Sequence, residues 1–308
     1  MGTFIRVMPM IRPPLLQRIV VPTDFSPGAK RALERAARLP IAARGKIHLV
    51  HVVARSDRHD GGSLARAADA LTKLARGIGR SDTTAGGKGL RIETSVLSGE
   101  PYVEIIRHAR RVNADLVVLG RVGEGRSIRK VLGTTAARVV RMSDTPVLLV
   151  GRPARASYRR ALVALALDSS SRRLVDLLHS ILGKGTARVS FVHAYRVPFT
   201  GFIAPGTEGA PTLHHQQCKE QAAAEFARQL RDLGRAGREQ RAVLRWGDAR
   251  SVILDEATRS RAELIALGTH GRSGIAHALV GSVAEWVITF AKCDVLLARP
   301  VRFTFEAP

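Results

Sequence analysis

The chain has 308 residues, of which 45% are hydrophobic and 5% aromatic, enough apolar sequence for two domains of ordinary size with aliphatic cores. Two cysteines, Cys218 and Cys293, exclude a disulfide framework and favour a reducing, cytoplasmic compartment. No apolar run approaches the roughly 20 residues of a membrane span. The net charge of +23 raises nucleic-acid binding as an alternative. That alternative is not favoured, because the cations are not interleaved with stacking aromatics.

The predicted elements alternate between strand and helix and pass through the same order twice. The first half contains strands at 18–22, 46–53, 90–97, 115–119 and 146–150, with helices near 27–42, 63–77, 99–113 and 134–142. The second half contains strands at 160–167, 187–194, 239–244, 263–267 and 295–298, with helices near 171–182, 211–233, 249–260 and 282–290. This alternation predicts parallel sheets with helices on both faces. We therefore expect two tandem five-stranded α/β domains.

A polar segment, G-R-P-A-R-A-S at 151–157, separates the two halves. Its proline and glycine are typical of a linker. The predicted organisation is a flexible leader at 1–16, a first domain at 17–151, a linker at 152–157, a second domain at 158–300 and a tail at 301–308. The leader lacks the continuous apolar core of a signal peptide.

Each half carries the pattern G-x2-G-x9-G-S/T directly after its fourth strand. The first copy consists of Gly120, Gly123, Gly133 and Thr134, and the second of Gly268, Gly271, Gly281 and Ser282, each 148 positions later. Such a loop lets backbone N–H groups face a phosphate, and the following helix adds partial positive charge. We also expect Asp24 and Asp168 to end the first strand of their halves. They share a crevice with the glycine loops if the first and fourth strands are neighbours.

These motifs resemble the universal stress protein family of the tandem type. The resemblance includes P-T-D-x-S at 22–26, H-V-V at 51–53, D-S-S at 168–170 and G-T-H-G-R-S-G at 268–274. It covers nearly the whole chain except residues 1–16, the linker and the tail. It implies the strand order 3-2-1-4-5 in each repeat, the adenine nucleotide α-hydrolase-like arrangement. It also implies ATP, ADP or AMP in the crevice, with or without Mg²⁺.

The resemblance assigns a site to each repeat. In the first, Asp24 and Val52 lie at the adenosine end, and Gly120, Gly123, Gly133, Thr134 and Thr135 hold the ribose and phosphates. In the second, the matching set is Asp168, Ala194, Gly268, Gly271, Gly281, Ser282 and Val283. The fifth strands are expected to pair within the chain as a pseudo-dimer, with a further homodimer left open. The first loop departs from the family form, because Arg121 stands where the second has Thr269.

Catalytic patterns are weaker than binding patterns in this sequence. A Walker A motif, an NAD fingerprint and a G-x-S-x-G elbow are all missing. His214, His215 and Cys218 offer too few ligands for a closed zinc site. His51 and His193 have no accompanying nucleophile and are expected to be core or rim histidines. We therefore expect an ATP-binding stress-response or signalling module without catalytic residues. The alternatives are a slow ATPase or autophosphorylating enzyme and a basic nucleic-acid-binding protein.

Overall fold

The structure is a computed structural model that describes residues 15–54, 62–79, 90–121, 132–168, 171–183, 187–197, 210–233, 241–269 and 280–299. In the first repeat the elements are β1 (Leu16–Pro22), α1 (Pro27–Ala36), β2 (Ile41–Val53), α2 (Ser63–Gly79), β3 (Arg91–Ser98), α3 (Pro101–Arg111), β4 (Leu116–Gly120), α4 (Thr134–Met142) and β5 (Val147–Val150). In the second they are β6 (Arg160–Ala164), α5 (Ser171–Leu182), β7 (Arg188–Tyr195), α6 (Ala210–Asp232), β8 (Arg241–Trp246), α7 (Ala249–Arg259), β9 (Leu264–Gly268), α8 (Ser282–Phe290) and β10 (Asp294–Ala298). None of these helices is long and apolar enough to cross a membrane.

All ten strands belong to one sheet in the order β3-β2-β1-β4-β5-β10-β9-β6-β7-β8. Each half therefore has the predicted order 3-2-1-4-5, which confirms the fold class. The ten strands form one sheet rather than two five-stranded sheets, because β5 and β10 pair antiparallel and join the halves. This pairing is the predicted intrachain contact between the fifth strands. It gives partners to backbone groups that would otherwise lie on two exposed sheet edges.

The predicted element ends are close to the observed ones, with two informative exceptions. The first helix was expected to continue to residue 42 but ends at Ala36, and β2 begins early because Ile41 pairs with Leu16. The strand expected at 160–167 ends at Ala164, and Leu167 adopts a left-handed backbone with φ of 57°. The second exception changes the alignment of the two sites.

Helices cover both faces of the sheet, as the parallel pairing requires. On one face, α1, α2, α5 and α6 bury Leu33, Leu71, Leu178 and Phe226 in a shared aliphatic cluster. On the other face, α3, α4, α7 and α8 bury Ile105, Val139, Ile253 and Val287. Both clusters draw residues from both repeats, so the core is continuous across the junction.

Two arginines reach across that junction to the carboxyl ends of helices in the opposite repeat. Arg121 donates to the carbonyl oxygen of Cys293 over 2.6 Å and also to that of Ala291, just after α8. Arg299 donates to the carbonyl oxygens of Val140, over 3.1 Å, and Arg141 in α4. A cation is favourable at a helix carboxyl end, where the carbonyl groups carry partial negative charge.

Equivalent hydrogen bonds define how the two repeats align. Thr23 N donates to the Val50 carbonyl oxygen over 2.8 Å, and Leu165 N donates in the same way to that of Val192 over 2.9 Å. Gly99 N donates to the Val53 carbonyl oxygen over 3.1 Å, and its equivalent, Gly247 N, donates to that of Tyr195 over 3.1 Å. The repeats are thus offset by 142 positions through the second strand and by 148 from the third strand onward. The difference falls around α6, which has 23 residues where α2 has 17.

Candidate functional site

The change in strand order lies beside the first strand of each repeat. β1 pairs with β2 on one side and with β4 on the other, and β6 pairs in the same way with β7 and β9. In open parallel sheets, ligands bind at the carboxyl ends of the strands next to such a switch. The first and fourth strands are therefore neighbours, as the crevice hypothesis requires.

Asp24 lies at the carboxyl end of β1 in a tight, hydrogen-bonded loop. Its Oδ1 accepts the N–H of Ser26 over 3.0 Å, and Phe25 has φ of 62°. Beneath the loop, His51 Nδ1 donates to the carbonyl oxygen of Thr23 over 2.8 Å. The exposed Asp24 carboxylate is thereby held at the rim of the crevice. His51 has a structural hydrogen bond, as predicted for a rim histidine.

The counterpart of Asp24 in the second repeat is Ala166, not Asp168. His193 Nδ1 donates to the carbonyl oxygen of Leu165 over 2.8 Å, as His51 does to Thr23. Leu167 has the left-handed backbone of Phe25. Leu165 is thus equivalent to Thr23 and Leu167 to Phe25, so Ala166 is the structural equivalent of Asp24. The expected match between Asp24 and Asp168 is wrong. β6 ends at Ala164, not at Leu167 as predicted, so Asp168 lies four residues beyond the strand end whereas Asp24 lies two residues beyond the end of β1.

Asp168 instead occupies the place of Ser26, three residues before α5 begins at Ser171. Ser26 caps α1 by accepting the N–H of Ala29 on its hydroxyl over 3.2 Å. At the same offset, the N–H of Ser171 approaches the Asp168 carbonyl oxygen at 3.4 Å. Asp168 is half-buried, and Gln229 of α6 donates to its carbonyl oxygen over 2.6 Å. Its position is therefore that of a helix-entry residue.

The two glycine loops are closed at their bases by equivalent hydrogen bonds. Gly133 N donates to the carbonyl oxygen of Arg121 over 3.0 Å, and Gly281 N donates to that of Thr269 over 2.7 Å. The predicted residues Gly123 and Gly271 lie outside the described residues.

The first glycine of the loop has a packing role. A β-carbon at Gly120 would lie 2.6 Å from the backbone carbon and oxygen of Gly28 in α1. Glycine at this position therefore lets the strand end approach the helix, whether or not a ligand is bound.

The helices that follow the glycine loops begin without a side-chain cap. Gly133 and Gly281 are the N-cap residues of α4 and α8, both with extended backbone and no side-chain hydrogen bond to the first turn. Thr134 and Thr135 form the first turn of α4, and Ser282 and Val283 that of α8. The first N–H groups of a helix have no partner within it, and they favour an anion.

In the second repeat, three of the predicted residues line one open cleft of about 790 Å³. Ala194 contributes from the end of β7, and Ser282 and Val283 from the start of α8. Asp168 lies instead on an adjoining cleft of about 590 Å³, together with Arg172 and Gln229. Glu225 of α6 lines both clefts. The structure thus brings the strand-two and helix-four residues together but places Asp168 beside them, in a separate hollow.

An arginine pair on the wall of the larger cleft was missed by the sequence reasoning. Asp248 accepts from Arg250 through both carboxylate oxygens, at 3.0 and 2.9 Å, and also from Arg196. The hydrogen bonds from Arg250, together with the charges of both arginines, lower the pKa of Asp248 to about 2. Two signals in the sequence were available. Arg196 directly follows the second strand of its repeat, and Arg250 stands two residues after Asp248, the N-cap of α7.

The first repeat lacks this arrangement. The positions of Arg196, Asp248 and Arg250 are held there by Ala54, Glu100 and Tyr102. Glu100 accepts from Arg138 of α4 over 2.8 Å, and that guanidinium lies 5.0 Å from the Tyr102 ring centroid. Among the described residues, the two crevices therefore differ in the cations that surround this carboxylate.

The His214–Cys218 segment forms contacts within the second repeat but no metal cluster. Cys218 Sγ lies 3.8 Å from His214 Nε2, and the Tyr195 hydroxyl lies 3.3 Å from His215 Nε2. Across the described ranges, no group of three or more His, Cys, Asp or Glu side chains could hold a metal ion.

Comparison with known proteins agrees with this architecture. The model of the universal stress protein family matches residues 16–151 and 157–299. Universal stress protein A homolog 2 of Coxiella burnetii is 32% identical over 146 residues, which are 46% of this chain and 96% of that protein. A crystal structure of a universal stress protein from Archaeoglobus fulgidus covers 92% of this chain and 98% of its own, with a TM-score of 0.64 and 19% identity.

A universal stress protein solved in complex with cAMP matches 46% of this chain and 98% of its own, with 24% identity and a TM-score of 0.30. The family match covers both halves of the sequence, and the strand order is the same in each. The chain belongs to the universal stress protein family.

Proposed function

We propose that this protein binds adenine nucleotides in the crevices of its two repeats and acts as a nucleotide-dependent stress-response module. The observation that carries the proposal is the second cleft. There the end of β7 and the uncapped start of α8 line one space of about 790 Å³. That volume lies within the usual range of small-molecule sites, roughly 300–1,000 Å³.

The residues at this cleft fit the parts of a nucleotide. The N–H groups of Ser282 and Val283 in the first turn of α8 suit a phosphate, as do those of Thr134 and Thr135 in the first repeat. Gly281 and Gly133 start these helices and close the loops through their own N–H groups. Val52 and Ala194 stand in equivalent places at the ends of β2 and β7 and suit the nucleoside. We include Gly123 and Gly271 in the proposed nucleotide sites because they are part of the glycine pattern of the loops. Gly120 and Gly268 are included because the loops start from them at the strand ends.

Mg²⁺ would accompany a triphosphate through the phosphate oxygens, because Mg²⁺ prefers oxygen ligands and keeps part of its water shell. The function proposed is binding and conformational signalling, with at most a weak ATPase activity. A cytoplasmic location and a division into domains at 17–151 and 158–300 belong to the same proposal. They are supported by the low cysteine content and the polar linker.

Mass spectrometry of the small molecules retained by purified protein tests the proposal directly, followed by calorimetry on nucleotide-stripped protein. Gly133→Val and Gly281→Val place bulk at the two helix starts, where φ is −56° and −60°, values that valine tolerates. Each single variant is expected to remove one binding event, and the double variant both. Gly77→Ala, in open space on α2, is the matched control. Absence of retained and bound ATP, ADP and AMP would refute the proposed function.

A further inference from the structure

Four helices form one face of the molecule at the junction of the two repeats. α3 packs beside α4 and α7 beside α8. The inner sides of α4 and α8 bury Val139 and Val287 in the same apolar cluster against the sheet. On the outer side, Arg141 of α4 donates to Glu285 of α8 over 3.0 Å. The solvent-facing sides of α4 and α8 are therefore neighbours.

Two contacting aromatic rings lie on the outer side of α8. Trp286 and Phe290 are one helical turn apart, and their ring centroids are 4.3 Å apart. Their side chains are 41% and 47% exposed. Burial of large apolar side chains is favourable, so adjacent exposed rings mark a surface suited to binding. Their exposed area is available for stacking with a flat group.

A guanidinium group accompanies an aromatic ring on each side of the junction. Arg250 of α7 lies 5.4 Å from the Trp286 ring centroid. Arg138 of α4 lies 5.0 Å from the ring centroid of Tyr102 in α3. The two pairs are equivalent at the offset of 148 positions, with ring and cation exchanged between the helices. The ring–arginine surface consists of Tyr102, Arg138, Arg141, Trp286, Phe290 and Arg250.

The tertiary structure supplies an interleaving of cations and rings that the sequence order lacks. The contact between Arg141 and Glu285 joins positions 144 residues apart and brings a cation of α4 beside the helix that carries the exposed rings. Proteins that bind single-stranded nucleic acid without sequence preference combine cations for the phosphates with aromatic side chains on which bases stack. The ring–arginine surface contains both kinds of group. The order of residues in the sequence therefore does not argue against nucleic-acid binding at this surface.

The arginines of this surface are exposed and only weakly held. Each has a carboxylate partner: Arg138 with Glu100, Arg141 with Glu285, and Arg250 with Asp248. The three arginine side chains nevertheless keep 56%, 53% and 44% of their surface exposed. Exposed ion pairs contribute little stability, and guanidinium groups bind phosphate through parallel N–H donors. A phosphate can therefore replace the carboxylate, and the net charge of +23 attracts a polyanion over longer distances.

We propose that the ring–arginine surface binds single-stranded nucleic acid without sequence preference. Bases stack on Trp286 and Phe290, and the phosphates contact the arginines on either side. The sugar is not distinguished, so DNA and RNA strands bind alike. This activity goes beyond the proposed nucleotide binding, because the surface lies on the outside of the helices. Arg250, which also lines the second cleft, stands at the border between the two sites.

Fluorescence anisotropy of labelled oligonucleotides tests the proposal on the natural protein. Oligothymidylate and oligouridylate of about 12 nucleotides, a usual site size for single-strand binding, are compared with a DNA duplex of equal length. At an ionic strength of about 0.15 M, we expect the two single strands to bind alike. The duplex should bind about fivefold or more weakly, because its bases are already stacked on one another. Equal or tighter binding of the duplex would show attraction by charge alone and would overturn the proposal.

Two tryptophan variants test the stacking. Trp286→Ala should weaken single-strand binding by about tenfold without changing its salt dependence, because a stacking ring is lost but no cation. Trp246→Ala is the matched control. Trp246 is 63% exposed at the end of β8, and its ring neighbours His215 of α6, on the other face of the sheet. Equal losses in the two variants would overturn the assignment of the bases to Trp286.

A charge variant tests the phosphate contacts. Arg141→Gln should weaken single strands and duplex together. It should also reduce the slope of log affinity against log salt by roughly 0.7 for single strands, the value for one lost phosphate contact. An unchanged slope would overturn the contact assigned to Arg141.

Competition with ATP separates this surface from the nucleotide crevices. Saturating ATP should leave the oligonucleotide bound, whereas complete displacement would place the strand in the crevices and overturn the inference. ATP binding without oligonucleotide binding would overturn the inference and leave the proposed function standing. Oligonucleotide binding without ATP binding would do the reverse. If the natural protein binds no oligonucleotide and Trp286→Ala abolishes self-association in sedimentation, the surface is a contact between two copies and the inference is wrong.

Discussion

The guanidinium Nε of Arg35 lies 3.2 Å from Oδ2 of Asp294, and their side chains are only 8% and 1% exposed. Arg35 belongs to α1 of the first repeat and Asp294 to β10 of the second. The Tyr158 hydroxyl donates to the same carboxylate over 2.6 Å, and the Gly151 N–H donates over 2.9 Å. The Arg35 guanidinium also lies 4.1 Å from the Tyr158 ring centroid. A buried polar network thus joins the repeats beside the β5–β10 pairing.

Neutralising Asp294 should strongly destabilise the protein. Asp294→Asn leaves the Arg35 cation buried without its charge partner, which typically costs about 3–5 kcal/mol. Urea unfolding followed by circular dichroism measures the loss. Glu285→Gln is the matched control, because the Arg141–Glu285 pair also crosses the junction but is about half exposed. Its removal should cost about 1 kcal/mol or less, and an equal loss in both variants would contradict the expectation.

Gly120 and Gly77 should respond in opposite directions to an added methyl group. Gly120→Ala places a β-carbon 2.6 Å from the Gly28 backbone, so β4 and α1 must separate. The expected loss is about 1–3 kcal/mol of unfolding free energy. Gly77→Ala adds a methyl to an exposed helical position with nothing within 4 Å, and it should stabilise by about 0.5–1 kcal/mol. Ligand-free urea unfolding checks both, and a neutral Gly120→Ala would show that packing does not require this glycine.

His108 should make the fold sensitive to acid. Burial, followed by the charge of Arg111 and then His48, lowers the pKa of His108 to about 4 from 6.5. Arg111 donates to His108 Nδ1 over 2.7 Å, which requires a neutral ring. As the pH falls from 6.5 towards 4, the unfolded chain binds a proton that the folded chain does not, so stability decreases. Above pH 6.5 this contribution is fully present.

His108→Gln should flatten that acid dependence, because an amide has no proton to gain. We expect about 1–2 kcal/mol less stability lost between pH 7 and pH 4.5 in the variant, a figure that includes screening by solvent. Urea midpoints and slopes measured at each pH provide the comparison. Parallel curves for the natural protein and the variant would show that His108 does not contribute.

The two cysteines should differ in reactivity. Burial, reinforced by Asp294, raises the pKa of Cys293 to about 12, whereas Cys218 is half-buried and lines the second cleft. At pH 8, iodoacetamide should modify Cys218 alone in the folded protein and both residues in urea, since the thiolate is the reactive form. Mass spectrometry of peptides identifies the sites, and Cys218→Ser removes the fast reaction. Bound nucleotide should slow the reaction at Cys218; rapid modification of Cys293 in the folded chain would contradict the expectation.

Arg250 should matter more for triphosphates than for monophosphates. Arg250→Gln should weaken ATP binding in the cleft that Arg250 lines, because a charged donor to the phosphates is lost. We expect a loss of about fivefold in affinity, equivalent to about 1 kcal/mol, measured by the fluorescence of Trp286, whose ring centroid lies 5.4 Å from the Arg250 guanidinium. AMP binding should change less. Arg259→Gln, an exposed charge change at the end of the same helix, controls for net charge. Equal effects of the two variants on ATP would point to a general charge effect.

Much of this molecule was determined by the sequence alone. The bounds of α4 and α8, the order of elements in each repeat and the position of the glycine loops were all predicted from local patterns. Apolar periodicity and glycine spacing report local backbone preferences, which act within a few residues. The pairing of the fifth strands was inferred through the family resemblance.

Only the tertiary structure decided the register of the second site. The alignment of Asp168 with Asp24 rested on residue identity, whereas the hydrogen bond from His193 to the Leu165 carbonyl shows that Ala166 holds that place. The cluster of Arg196 with Asp248 likewise joins residues 52 positions apart. Such contacts depend on how distant segments pack against each other, and the local sequence pattern of either segment does not predict that packing.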